Sequence, residues 1–169
     1  MPADLPSLRP ATEADLPALA ALYDAAVRAL GAAAYSPAQV DAWAGRGAAP
    51  ETLRPVVLGA YTLVAEDATG PIGFAGLADD GLVTMLYVRP DRMRRGVGGR
   101  LLGAILTEAR RRGLPRLYTA ASVFSRPVFE RFGFRLDEVE TVVLGGVPFE
   151  RDRMSLPLDL PGEGTRPDR

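Results

Sequence analysis

The 169-residue sequence has no cysteine, no histidine and no lysine. Without cysteine there is no thiol nucleophile and no disulfide framework. Without histidine there is no Ser-His-Asp triad, and the two absences together exclude Cys/His zinc sites. Without lysine there is no Schiff-base lysine and no P-loop lysine. All 20 basic residues are arginine. That bias, with abundant alanine and proline, is the mark of a GC-rich coding sequence and carries no functional weight. Long apolar runs are missing as well: none approaches the roughly 18 residues of a membrane span. The start, Met1-Pro2-Ala3-Asp4, has neither the basic nor the apolar segment of a secretory signal. The expectation is a cytoplasmic protein with no membrane and no metal partner. Its chemistry must rest on backbone groups, carboxylates, hydroxyls, arginine or a bound cofactor.

What is present fits one domain, with 47% hydrophobic residues and enough length to bury a core. The net charge of −1 hides an asymmetry. Residues 89–116 carry nine arginines against Asp91 and Glu108, a net of +7, inside an otherwise acidic chain. Such a segment points to an anionic ligand. Arg110, Arg111 and Arg112 are explained by a helix C-terminus, where cations favour the dipole. Arg92, Arg94 and Arg95 crowd the opposite end and are not.

Leu8-Arg9-Pro10 reads as a short strand. A first helix follows, with Thr12 and Asp15 as candidate caps and Gly31 as its stop. Ser36-Pro37 opens a second helix, closed by Gln39 as a Ser-x-x-Gln capping box, and ending near Gly45. Residues 51–58 are ambiguous, a short helix interrupted near Pro55 being one reading. Strands are expected over Tyr61–Ala65, Ile72–Ala78 and Leu82–Val88, the last two joined by the turn Asp79-Asp80-Gly81. Gly98–Arg112 is an amphipathic helix, Leu117–Ala121 a strand and Arg126–Phe132 a short helix. Phe134–Leu144 and Val147–Leu156 flank Gly145-Gly146, a final hairpin. From Pro157 the chain should be loose. The class is mixed α/β, one domain over 7–158 with a tail at 159–169.

The informative segment is Leu86-Tyr87-Val88-Arg89-Pro90-Asp91-Arg92-Met93-Arg94-Arg95-Gly96-Val97-Gly98-Gly99-Arg100. A strand runs into an Arg- and Gly-rich turn that opens a helix. Helix N-termini present unpaired N–H groups and the positive end of the dipole. Glycines at 96, 98 and 99 let a phosphate approach the backbone. The pattern fits a phosphate or pyrophosphate. It does not fit a Rossmann fingerprint, whose spacing differs, or a Walker loop, which needs lysine.

Val88-Arg89-Pro90, Arg94-Arg95-Gly96-Val97-Gly98 and Leu101-Leu102 resemble the acyl-CoA loop of GCN5-related N-acetyltransferases (GNATs). Ala121-Ser122 and Arg126-Pro127-Val128-Phe129-Glu130-Arg131-Phe132-Gly133-Phe134 resemble that family's last helix. The resemblance runs from about Leu8 to Leu158. Tyr35-Ser36-Pro37, Gln39, Trp43 and Arg126-Pro127 are similar to the subgroup of YafP-like acetyltransferases. The resemblance implies a GNAT fold, a mixed, mostly antiparallel central sheet of about seven strands flanked by about four helices. It implies acetyl-CoA as co-substrate and a primary amine, on a small molecule or a peptide, as acceptor. The amine would attack directly in a ternary complex. The implied cofactor-binding residues are Arg94, Arg95, Gly96, Val97, Gly98, Gly99 and Arg100 for the pyrophosphate. Leu86, Tyr87 and Val88 would hold the pantetheine arm, with Ser122 and Phe129 beside it.

The chain departs from the family pattern at four positions. Met93 replaces the usual Gln or Arg that opens the loop. Phe129 stands where a tyrosine often protonates the leaving thiolate. Thr84 and Ala120 stand where relatives of the subgroup often carry acids. The remaining acid/base candidates are Asp79, Asp80, Tyr87 and Tyr118. A thioester is already activated, and general-base assistance is worth about 10²–10⁴-fold, so the loss would slow turnover and not abolish it. The other reading is a non-catalytic acyl-CoA-binding or regulatory module of the same fold. Tyr23, Tyr35, Gln39 and Trp43 are the candidate acceptor-binding residues. The acids of residues 1–88 point to a cationic acceptor. Nucleic acid is not an expected partner, because the arginines belong to the Gly loop and lack interleaved aromatics. A monomer or homodimer is expected.

Overall fold

The computed structural model describes residues 5–159. The start Met1–Asp4 and the tail from Leu160 onward lie outside the described residues. The element order is β1 (Ser7–Pro10), α1 (Leu16–Ala34), α2 (Pro37–Ala44), α3 (Pro50–Leu58), β2 (Tyr61–Asp67), β3 (Gly70–Leu77), β4 (Val83–Val88), α4 (Val97–Arg111), β5 (Arg116–Ala121), α5 (Arg126–Arg131), β6 (Arg135–Leu144) and β7 (Val147–Pro157). The seven strands are paired antiparallel in two groups, β1-β2-β3-β4 and β5-β7-β6. One parallel bridge, Leu82 to Tyr118, joins the groups. The Tyr118 N–H donates to Gly81 O there at 3.0 Å.

Two apolar layers cover the first group. On one face α4 buries Leu101, Leu102 and Ile105 against Leu63, Ala75 and Leu77. These three α4 side chains are fully buried, each contributing about 1.5–3 kcal/mol of transfer free energy. On the other face α1 and α3 bury Leu19, Tyr23, Val27 and Leu53 against Val64 and Phe74. This alternation follows from the period of two along β2 and β3, which sends Leu63 and Val64 to opposite sides.

Two expectations are corrected. Gly31 does not stop α1, which runs on to Ala34. A Cβ at Gly31 would lie 2.7 Å from Val40 Cγ2, so this glycine lets α1 and α2 pack closely. Residues 51–58 form the helix α3, which carries Pro55 inside it, so the short-helix reading holds there and five α-helices stand among the described residues. Its start is fixed by Pro50 at the first turn, where a missing N–H costs nothing. The chain is not loose from Pro157. Pro157 belongs to β7, and Leu158 is buried and donates its N–H to Pro115 O at 2.9 Å.

The stretch from Glu13 to Ala34 reaches a mean hydropathy of 1.2 over 18 residues, the length and composition of a short membrane span. Its apolar side is occupied: Leu16, Leu19, Tyr23 and Val27 are each at most 2% exposed against the sheet and α3.

Candidate active site

The site begins where β4 and β5 part. They touch at the Leu82–Tyr118 bridge, where the Thr119 hydroxyl donates to Val83 O at 3.1 Å. Beyond Val83 the two strands splay. The β3–β4 register shifts at the same place: Gly76 pairs with Met85 but Leu77 with Val83, leaving Thr84 as the extra residue of a bulge. A bulge bends its strand and raises local twist, which turns β4 away from β5. Further along, the Arg89 N–H donates to Ile72 O at 2.8 Å. Antiparallel alternation then turns the Tyr87 N–H toward β3 and the Leu86 and Val88 N–H groups toward the gap.

The gap widens into a cleft of about 1390 Å³. At one end stands the start of α4. The first intrahelical donor there is Arg100 N–H, to Gly96 O at 2.9 Å. The N–H groups of Val97, Gly98 and Gly99 precede it and have no intrahelical acceptor. Gly96 adopts φ +80°, and a Cβ on it would meet nothing within 4 Å. A Cβ on Gly98 would lie 3.7 Å from Val88 Cγ2, so the helix start stands directly over the end of β4. Arg94 is at φ 59°, the one positive-φ non-glycine residue among those described. A side chain there costs about 1–2 kcal/mol, so the loop is held open against local preference.

The arginine excess is partly neutralised. Arg92 pairs with Asp67 at 2.9 Å and Arg89 with Asp91 at 2.6 Å. Hydrogen bonds from Thr69 and then Arg92 hold the Asp67 carboxyl well below the usual carboxylate range. Arg111 and Arg112 both bind Glu108 at 2.7 Å, at the end of α4. Arg94 and Arg131 line the cleft, and neither forms an ion pair with a carboxylate among the described residues.

A family model for the GNAT acetyltransferase domain matches residues 31–155. The chain belongs to the GNAT acetyltransferase family. It is similar to the uncharacterized N-acetyltransferase YafP of Escherichia coli K12, with 29% identity over 135 residues, 80% of this chain and 85% of YafP. Among solved structures it is similar to a GCN5-related N-acetyltransferase from Rhodopseudomonas palustris. That similarity has a TM-score of 0.88 and 32% identity, over 94% of this chain and 99% of the other. The PaiA N-acetyltransferase of Thermoplasma acidophilum, solved in complex with coenzyme A, shares the fold. There the TM-score is 0.75 at 16% identity, over 90% of this chain and 98% of the other.

Within this GNAT fold the cleft gathers Leu86, Tyr87, Val88, Arg94, Gly96, Val97, Gly98, Gly99, Ser122 and Phe129 from the sequence-derived cofactor set. Arg95 and Arg100 do not line it. Arg100 donates its Nε–H to Pro6 O at 2.9 Å, on the side of α4 that faces the N-terminal segment. Arg95 follows the left-handed Arg94, where the chain reverses, and is exposed. Arg131 belongs to the last-helix motif but was not placed beside the loop, because some thirty residues of sequence separate the two. Arg46 also lines the cleft and was missed, because it lies in an Ala- and Gly-rich turn with no pattern.

Of the acceptor set, Tyr35 and Trp43 line the cleft. Tyr23 does not. It is 2% exposed, packs with its ring tilted against Tyr87 at a centroid distance of 4.6 Å and donates its hydroxyl to Trp43 O at 2.9 Å. Gln39 closes the α2 capping box and donates Nε2–H to Pro148 O at 3.0 Å, lining a separate small pocket.

Of the acid/base candidates, Asp79 and Asp80 lie outside the cleft. The Asp79 side chain is fully exposed and accepts from Arg112 at 3.1 Å. Asp80 accepts the Leu82 N–H at 3.1 Å, an Asx turn, and also the Tyr118 hydroxyl. The Tyr118 phenol, bound to this carboxylate, is pushed above its ordinary pKa, so Tyr118 lines the cleft with its proton committed elsewhere. The Ser122 and Ser125 hydroxyls bond each other at 3.2 Å at the start of α5. Phe129 is 2% exposed and packs edge-on to Phe134, offering no proton. Burial raises the Tyr87 phenol, keeping it neutral, and its oxygen accepts the Trp43 Nε1–H at 3.2 Å.

Proposed function

We propose that the protein is a cytoplasmic N-acetyltransferase that moves an acetyl group from acetyl-CoA to a primary amine. The observation that carries this is the joining of a splayed strand edge to the open N-terminus of α4 in one cleft. The backbone donors of the loop suit a pyrophosphate, and the Cβ-free approach at Gly96 and Gly98 suits its bulk. The free edge of β4 at Leu86 and Val88 suits an extended amide-bearing arm, which would pair with it as a further strand. The thioester supplies an activated acyl carbon. The amine nitrogen bonds to that carbon, the C–S bond breaks, and the electron pair leaves on sulfur.

In this reading the Val88 N–H polarises the acyl oxygen, and the cleft walls fix the amine in line. The ammonium proton leaves to solvent before attack, and the second nitrogen proton passes through solvent to the departing thiolate, giving the amide and the CoA thiol. Among the described residues the carboxylates that line the cleft are Glu140, bound to Arg151 at 2.5 Å, and Glu150, which is exposed, so none is held as a dedicated base. That same observation favours a second reading, an acyl-CoA-binding module without turnover. Release of CoA from acetyl-CoA on adding a panel of amines separates the two. The first reading expects amine-dependent release with an N-acetylated product. Tight CoA binding with no release across the panel supports the second.

A further inference from the structure

The end of the cleft away from α4 is aromatic. Tyr35, Trp43, Phe124 and Phe149 line it, from four different parts of the chain. Tyr35 is the hub: its ring centroid lies 5.5 Å from Trp43, 6.1 Å from Phe124 and 5.7 Å from Phe149. The β6–β7 hairpin is drawn onto α2 there, through Gln39 on Pro148 O and through Gly145, whose Cβ would lie 3.5 Å from Ala42. The wall is therefore built and not a chance exposure of rings.

Arg46, from the turn after α2, lines the same cleft. The other arginines of this end are paired, Arg151 with Glu140 at 2.5 Å and Arg153 with Glu138 at 3.2 Å. Arg46 has no carboxylate within ion-pair distance among the described residues. Arg46 is itself exposed, so its guanidinium is open to an entering ligand. A cation thus lines the same cleft as the aromatic wall. A polycationic amine meets repulsion from Arg46, contrary to what the acid count of residues 1–88 suggests.

We infer that the acceptor is an amine that also carries a carboxylate and an apolar or aromatic side chain, an α-amino acid of the phenylalanine type. Arg46 takes the carboxylate, with its planar fork matched to two oxygens. The rings around Tyr35 take the side chain. The inference rests on the acetyl-transfer reading for its chemistry, and its test is a binding measurement that does not require transfer.

Trp43 is the only tryptophan of the chain and lies in this wall, so its emission reports occupancy. The CoA-saturated protein is titrated with L-phenylalanine and with 2-phenylethylamine, which differ only in the carboxylate. Phenylalanine is expected to bind at least 10-fold more tightly. Arg46→Gln is expected to remove that preference, with its loss falling on phenylalanine alone. Arg46 is exposed, so the variant keeps its melting temperature. Equal affinity for the two ligands, an equal loss of both in the variant, or no saturable change with phenylalanine overturns the inference. Failure of acetyl transfer shows separately, as absent CoA release on the full amine panel.

Discussion

The indole N–H of Trp43 donates to the Tyr87 hydroxyl at 3.2 Å, tying α2 to β4 across the cleft. Tyr23 completes the tie by donating to the Trp43 carbonyl at 2.9 Å. Helix α2 is short, and this contact fixes its distance from the strand that would hold the acyl group. Tyr87→Phe leaves the indole N–H without an acceptor, at a cost of about 1–2 kcal/mol. We predict a lower melting temperature and a shifted Trp43 emission. A melting temperature and emission identical to wild type would show that the tie carries nothing.

Arg94 holds a backbone conformation that glycine adopts freely. Arg94→Gly is predicted to leave stability unchanged or raise it by up to about 1 kcal/mol, because relief of strain offsets the added chain entropy. CoA affinity is predicted to fall, since a cation at the mouth of the loop is lost. Urea unfolding and calorimetric CoA titration check the two halves.

Thr84 Oγ1 is buried and is the only buried side-chain polar atom without a partner among the described residues. The bulge forces it there, over Gly76, where a Cβ would lie 2.2 Å from this oxygen. An unsatisfied buried hydroxyl costs about 1–3 kcal/mol. Thr84→Val is therefore predicted to hold or raise stability in thermal unfolding. A loss of more than about 1 kcal/mol would mean that an ordered water satisfies the hydroxyl.

Asp15 accepts two hydrogen bonds of 2.8 Å from Arg9 and one of 2.8 Å from the Thr12 N–H. Arg9 above all lowers its carboxyl from 3.8 to about 2. The folded value lies below the unfolded one, so the pair stabilises fully above about pH 4. That contribution, about 2 kcal/mol, is lost as pH falls toward 2. Asp15→Asn should lose this increment at neutral pH and show a flatter stability profile from pH 4 to 2. Denaturant midpoints measured across that range test it, and parallel profiles for the two proteins would contradict it.

Much of the frame was readable because turns announced themselves. Gly145 and Gly146 both have positive φ, as a tight hairpin requires, and Gly81 combines φ +97° with a backbone oxygen 2.3 Å from where its Cβ would stand. The loop from Arg94 to Gly99 was equally legible, because its glycines and the start of α4 are contiguous. Gly31 misled, since close packing on Val40 and a helix stop call for the same residue. Asp79 and Asp80 misled because a carboxylate at a turn looks alike whether it points into a cleft or caps a backbone. Arg46 carried no local signal, and Arg131 stood in the last-helix motif with nothing to mark it as facing the loop. Their place in the cleft depends on how α2 and α5 fold back on β4, which only tertiary structure fixes.

The central claim is that the backbone where β4 meets α4 holds the phosphates of CoA. Gly98 is the residue to change, because a Cβ there meets only Val88 Cγ2 at 3.7 Å, an ordinary contact that the fold accommodates. Calorimetric titration of CoA into wild-type protein and Gly98→Val is the direct measurement. Wild type is predicted to bind one CoA per chain, and the variant, shown to be folded by its cooperative melting, to bind at least 100-fold more weakly. Equal affinity in the two proteins would contradict the account.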